Sequence, residues 1–101
     1  MAKTSSIEKN KRRRLLSEKF KARRQKLKSL IQNKEMSDEQ RYEAVLKLAE
    51  LPRNSSKTRI RNRCEMTGRP RGFYRKFKLG RVALRLMSAQ GVIPGVVKSS
   101  W

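Results

Sequence analysis

Cys64-Glu65-Met66-Thr67-Gly68-Arg69-Pro70-Arg71-Gly72-Phe73-Tyr74-Arg75-Lys76-Phe77 sets cationic side chains, turn-forming residues and aromatics side by side. Gly68, Pro70 and Gly72 punctuate the stretch, and Phe73, Tyr74 and Phe77 flank Arg75 and Lys76. That order predicts a short two-stranded hairpin or an irregular turn. In extended backbone Phe73 and Tyr74 point in opposite directions, so one of them should face outward, whereas Phe77 is expected to pack. Beyond this stretch, Leu79, Val82, Ala83, Leu86 and Met87 predict the apolar face of a helix over about 79–90, with Arg81 and Arg85 a turn apart on another face. Gly91 is its natural stop, Pro94-Gly95 a turn, and the tail ends at Trp101.

Upstream, Pro52-Arg-Asn-Ser-Ser-Lys-Thr-Arg-Ile-Arg-Asn-Arg63 has Ile60 as its one large apolar residue, with Arg59, Arg61 and Arg63 alternating. This composition predicts an extended arm that orders on a partner. Before it, Ser37-Asp38-Glu39-Gln40 is a capping signal with acids in the first turn, opening a second helix that runs to Leu51 and ends at Pro52. Tyr42, Val45, Leu46 and Ala49 form a stripe at i, i+3, i+4, i+7 that is expected to close on a first helix. That first helix is predicted over about 6–32, from a capping box at Ser5-Ser6-Ile7-Glu8 and the recurrence of Leu16, Phe20, Leu27, Leu30 and Ile31. Asn33-Lys34-Glu35-Met36 breaks the pattern, so the two helices should form an antiparallel hairpin.

The charge balance is extreme: 28 Lys+Arg against 8 Asp+Glu give +20 on 101 residues. Self-repulsion at this density opposes compaction unless a polyanion cancels it. With 36% hydrophobic and 36% charged residues, any core must be small. Residues 1–50 hold fifteen basic and seven acidic side chains, whereas 51–101 hold thirteen basic ones and the single acid Glu65. The second half is therefore the expected deep contact surface, and phosphate backbones are the expected counter-charge. The expected fold is mainly α, extended and irregular: a basic helical hairpin over 1–52, a long basic arm over 53–63, and a module of short hairpin plus helix over 64–101.

Guanidinium forks bind phosphate bidentately and stack on bases. The candidate RNA-binding residues are accordingly Arg12, Arg13, Arg14, Arg53, Lys57, Arg59, Arg61, Asn62, Arg63, Arg69, Arg71, Arg75, Lys76, Arg81, Arg85 and Lys98, with Phe73, Tyr74 and Trp101 as stacking or partner contacts. Lys11-Arg12-Arg13-Arg14 is read as part of a basic helix face rather than an import tag. Cys64 has no second cysteine or histidine beside it, so the chain offers neither a zinc set nor an activated thiol, and no catalytic constellation is visible. No cofactor, small-molecule substrate or membrane span is expected, and the chain should be cytoplasmic. Two other classes remain open at this point. One is a small basic DNA-binding or nucleoid protein; the other is a basic amphipathic helix that binds membranes or protein partners.

Leu51-Pro52-Arg53-Asn54-Ser55-Ser56, Arg61-Asn62-Arg63-Cys64, Thr67-Gly68-Arg69-Pro70-Arg71-Gly72, Arg75-Lys76-Phe77, Ile93-Pro94-Gly95 and Lys98-Ser99-Ser100-Trp101 together resemble the family of the fourteenth protein of the bacterial small ribosomal subunit. That family has a short form with a Cys-x2-Cys-x12-Cys-x2-Cys zinc site and a longer zinc-free form, and this chain resembles the longer one. Laid on the zinc pattern, Cys64 keeps the first ligand position while Thr67, Gly80 and Ala83 occupy the others. The resemblance implies a zinc-ribbon-like module without zinc, held by packing around Phe77, Val82 and Leu86. Lys78 stands where the family has glycine, in Phe77-Lys78-Leu79-Gly80. The resemblance further implies a structural protein of the 30S subunit head. There it would bind 16S ribosomal RNA beside the third, tenth and nineteenth small-subunit proteins, and would support assembly and the RNA conformation near the A site.

Overall fold

The computed structural model describes residues 2–99. Four helices, two 3-10 turns and one small sheet follow one another: α1 (Thr4–Lys19), α2 (Lys21–Gln32), α3 (Asp38–Glu50), the turns Arg53–Ser55 and Lys57–Arg59, β1 (Phe73–Tyr74), β2 (Leu79–Gly80) and α4 (Arg81–Ala89). The mainly helical, irregular architecture expected from the sequence is what forms. Contacts group the chain into two units, one of Lys9–Ile60 and one of the chain start to Glu8 together with the residues from Arg61 onward.

The single long helix expected over about 6–32 is two helices, the first starting at Thr4, ahead of the capping box. The interruption is Phe20, at φ −97°, ψ 5°. The Lys19 ammonium and the Arg23 guanidinium lie 5.7 and 5.6 Å from its ring centroid. Hydrogen bonding continues through the bend, since Phe20 N–H donates to Leu16 O and Arg24 N–H to Phe20 O, both at 3.0 Å.

The α2–α3 hairpin forms as expected, joined by residues 33–37 and packed along its length. Asn33 Oδ1 accepts from Glu35 N–H at 3.0 Å to turn the chain. Ser37 caps α3 by accepting from Gln40 N–H at 3.4 Å. The rotation of α3 differs from the expectation. Ala44 is buried and Arg41 and Leu48 are half-buried, whereas Tyr42, Val45, Leu46 and Ala49 are exposed. The Arg41 guanidinium sets this rotation: Nε donates to Ile31 O at 3.0 Å, satisfying one of the four carbonyls that the end of α2 leaves without a helical partner. The small Ala44 then faces α2, and the larger stripe turns outward.

The segment 53–63 is not uniformly extended. Extended residues at Pro52, Ser56 and Ile60 alternate with the two 3-10 turns. The first turn is pinned: Ser55 is 1% exposed and its hydroxyl donates to Pro52 O. Arg24 Nε donates to Ser55 Oγ at 2.9 Å and Nη2 to Pro52 O at 3.5 Å. A guanidinium and a buried hydroxyl thus supply locally the partners that composition alone assigns to another molecule.

In the other unit, β1 and β2 pair antiparallel with Phe73 opposite Gly80 and Tyr74 opposite Leu79. Lys78 N–H closes the turn on Tyr74 O at 2.8 Å. Lys78 takes the left-handed conformation (φ 56°) that favours glycine. The core is Cys64, Leu79 and Ala83, with Phe77, Leu84, Met87 and Ile93 packed against it. Val82 and Leu86, expected to hold this module, are 49% and 60% exposed. The helix begins at Arg81 rather than Leu79, because Leu79 and Gly80 are taken by the strand. Of the expected apolar face, Leu79, Ala83 and Met87 turn inward and Val82 and Leu86 turn out. Gly91 stops α4 as expected: at φ 70° it donates to Ser88 O while Val92 N–H reaches Met87 O, both at 3.1 Å, the paired bonds of a Schellman cap.

Candidate nucleic-acid interface

The Cys64 turn is the frame on which the C-terminal arginines are mounted. Gly68 N–H donates to Cys64 O at 2.8 Å, and Cys64 N–H to Arg69 O at 3.1 Å. Gly68 sits at φ 77°, the left-handed conformation that disfavours a side chain, and an added Cβ would lie 2.7 Å from Ile7 Cδ1 and displace that methyl group. Glu65 N–H to Lys78 O (3.2 Å) ties this turn to the hairpin, and Arg81 N–H to Gly72 O (2.7 Å) ties the hairpin to α4.

Cys64 is 3% exposed. Burial pushes its thiol up, but hydrogen bonds from the Gly80 N–H, the Thr67 hydroxyl and the N–H groups of Thr67 and Met66 more than offset this, bringing it from 9.0 down to about 7. Thr67 and Gly80 thus bond the sulfur, and Ala83 shares its core cluster. The positions that the family's zinc-bearing form uses as ligands converge here, but they present one thiol, one hydroxyl, one hydrogen atom and one methyl group. Such a donor set does not fit zinc, which takes four N, O or S ligands in structural sites. Hydrogen bonds to sulfur and apolar packing occupy the same point.

Several candidate arginines spend part of their hydrogen-bonding capacity inward. Arg63 Nη1 donates to Gly68 O at 2.9 Å, Arg61 Nε to Pro70 O at 3.1 Å, and Arg69 Nε to Arg71 O at 3.0 Å. Arg13 is half-buried, with Nη1 3.4 Å from Arg59 O. A guanidinium has five N–H donors, so each fork fixes a loop and keeps further donors, except that the Nε of Arg13 and of Arg63 is buried and reaches no other molecule. Arg12, Arg14, Arg53, Lys57, Arg59, Asn62, Arg71, Arg75, Lys76, Arg81, Arg85 and Lys98 are exposed. The aromatics divide as strand geometry requires. Tyr74 is 50% exposed, Phe73 half-buried, and Phe77 packs on the core with the Lys76 ammonium 5.7 Å from its ring. Trp101 lies outside the described residues.

Two open grooves collect these groups. One, of about 630 Å³, has Val82, Leu84 and Leu86 as an apolar floor, with Tyr74, Arg81, Arg85 and Lys98 around it. An apolar floor beside a phenol ring and guanidinium groups suits the flat face of a base, with phosphate at the rim. The other, of about 390 Å³, lies within the Lys9–Ile60 unit and is lined by Arg14, Lys21, Arg24, Lys28 and Lys57 together with the hydroxyls of Ser55, Ser56 and Thr58. Ile60 contributes apolar surface and Glu18 one carboxylate, but five cations and several hydroxyls against that single acid suit a phosphate chain. Lys21 and Lys28 were not among the sequence candidates. Their signal is the spacing Arg14, Lys21, Lys28, which repeats every seven residues across the junction of α1 and α2.

Among the described residues no group of three or more His, Cys, Asp or Glu side chains is placed to hold a metal, and no helix is long and apolar enough to cross a membrane. Residues 47–100 match the sequence model of the family described as ribosomal protein S14p/S29e. The chain is similar over its whole length, and over the whole length of each relative, to proteins named small ribosomal subunit protein uS14: 59% identical to that of Maricaulis maris, 62% to that of Paramagnetospirillum magneticum and 60% to that of Rhizobium meliloti. A match through the arginine-bearing turn, hairpin and α4, continued at this identity through the N-terminal helices, makes the chain a member of the ribosomal protein S14p/S29e family.

Proposed function

We propose that the chain is a structural constituent of the small ribosomal subunit of the bacterial cytoplasm, binding 16S ribosomal RNA. It cancels phosphate charge where RNA segments must approach one another. The observation that carries this reading is the acid-free run from Met66 to Trp101, whose exposed Arg71, Arg75, Arg81 and Arg85 are mounted on a turn, hairpin and helix fixed by hydrogen bonds. Pre-ordered guanidinium groups bind phosphate with little entropy left to lose, and counterion release supplies the driving force. The groove bounded by Tyr74, Arg81, Arg85 and Lys98 takes an unstacked base, and the groove bounded by Arg14, Lys21, Lys28 and Lys57 tracks a phosphate backbone. Arg61, Arg63 and Arg69 shape the turn first and contact RNA with their remaining donors. The finer placement follows the family resemblance: the subunit head, near the third, tenth and nineteenth small-subunit proteins and the A site. The role is non-enzymatic.

The test is co-sedimentation of the full chain with small subunits in high salt, followed by crosslinking to named nucleotides. Changing Arg71, Arg75, Arg81 and Arg85 together to alanine should abolish incorporation while helicity by circular dichroism is retained. Unchanged incorporation would refute the assignment. Equal affinity for duplex DNA and for head-domain RNA at matched salt would favour a general DNA-binding protein instead.

A further inference from the structure

The face of α3 turned away from α2 carries a surface that RNA binding leaves unexplained. Tyr42, Val45 and Leu46 are 65%, 43% and 47% exposed, and Ala49 is exposed beside them. On a helix wheel of about 100° per residue these four fall in a single sector about 100° wide, with Ala44 and Leu48 on the other side of the helix. Glu39, Glu43 and Glu50 run along one edge of that sector. Four of the chain's eight acids lie in this 13-residue helix against two cations, so the helix carries −2 in a chain of +20. One of those cations, Arg41, is directed to Ile31 O, and the other, Lys47, stands a turn from Glu43 and Glu50 and offsets one of the three glutamates of the edge. The outward face is therefore both apolar and locally negative.

That combination selects among occupants. Phosphates would be set against a row of carboxylates, which excludes an RNA backbone. A second copy of the chain in a two-fold contact would bring the same glutamates near one another across the axis. A protein surface with an apolar centre and a lysine- and arginine-rich rim is complementary to the stripe and to its edge. We infer that the outward face of α3 docks a basic neighbouring protein, while RNA is held elsewhere on the chain. The inference rests on the small-subunit placement proposed above.

The experiment uses full-length chain assembled into purified small subunits, with Leu46 replaced by the photocrosslinker p-benzoylphenylalanine and, in a parallel sample, Tyr74 replaced by it. The label at 46 should join a lysine- and arginine-rich polypeptide of the subunit, whereas the label at 74 should join ribosomal RNA. Adding Glu39→Lys, Glu43→Lys and Glu50→Lys, all on exposed positions, should lower the protein crosslink from 46 about tenfold with the chain still in the particle. Crosslinking of 46 to RNA, to a second copy or to nothing, or a yield indifferent to the charge reversal, overturns the docking inference alone. Absence of the chain from the particle overturns the small-subunit placement, and the docking inference with it.

Discussion

The Lys9–Ile60 unit is tied together by arginines that reach carbonyl and hydroxyl oxygens, Arg41 to Ile31 O and Arg24 to Ser55 Oγ and Pro52 O, whereas the unit that includes Arg61 onward turns about a buried thiol and a handful of apolar side chains. Both are solutions to having little hydrophobic core. In the first, some of the chain's excess cations become structural, so charge that would repel is placed against backbone dipoles. In the second, a small apolar cluster and hydrogen bonds to sulfur hold most of the structure, with Arg61, Arg63 and Arg69 on turn carbonyls, and Arg71, Arg75, Arg81 and Arg85 are left to face outward. The first should therefore be sensitive to the loss of single guanidinium groups and the second to the loss of volume or of the thiolate.

Volume should give the largest effect. Leu79→Ala removes the largest side chain of the Cys64–Leu79–Ala83 cluster and should cost about 2–4 kcal/mol, read as faster amide exchange from Cys64 to Met87 with the α2–α3 hairpin unchanged. A loss below about 1 kcal/mol would contradict the thiol-centred core.

The thiolate comes next. Its absorbance near 240 nm should titrate with a midpoint at about 7 rather than 9.0. Because the folded value lies below the unfolded one, the stabilisation is complete above pH 9 and absent below pH 7. Stability of this unit should then climb by about 2–3 kcal/mol across that window, since each tenfold difference in proton affinity between the folded and unfolded states is worth about 1.4 kcal/mol. Cys64→Ala should abolish the climb; a climb that survived would place its origin elsewhere.

Arg24→Ala tests the other unit. It takes the guanidinium from a Ser55 hydroxyl in a residue 1% exposed, and should cost about 1–2 kcal/mol while speeding exchange of the Ser55 and Ser56 amides. The smallest effect is expected at Lys78→Gly, which relieves a left-handed lysine at φ 56° but adds chain entropy to the unfolded state, for a net gain within about 1 kcal/mol. A substantial loss would mean that the lysine side chain itself holds the hairpin.

The elements most legible in the sequence are those with a local cause. Ser37 begins α3, Gly91 ends α4, and Phe73-Tyr74 enters a hairpin, each through backbone chemistry within a few residues. Faces were less legible. In α3 the stripe Tyr42–Ala49 is the stronger apolar pattern, yet Arg41 fixes the opposite rotation through a carbonyl ten residues away. In α4 the expected face of Leu79, Val82, Ala83, Leu86 and Met87 is wider than the side the core covers, so Ala83 and Met87 are packed while Val82 and Leu86 stay exposed. Periodicity shows that a helix has an apolar side but not whether its own chain covers it. Likewise, a list of arginines does not separate Arg63, which holds Gly68 O, from Arg81 and Arg85, which are exposed on α4.

On the function proposed above, ribosomal RNA cancels the charge of the exposed arginines of the C-terminal unit. The direct test is the salt dependence of affinity for head-domain 16S RNA, measured for the natural chain and for the variant with Arg71, Arg75, Arg81 and Arg85 changed to alanine. Each lost phosphate contact should reduce the slope of log affinity against log salt by about 0.7–0.9, so the four together should flatten it by about 3. An unchanged slope would contradict the claim.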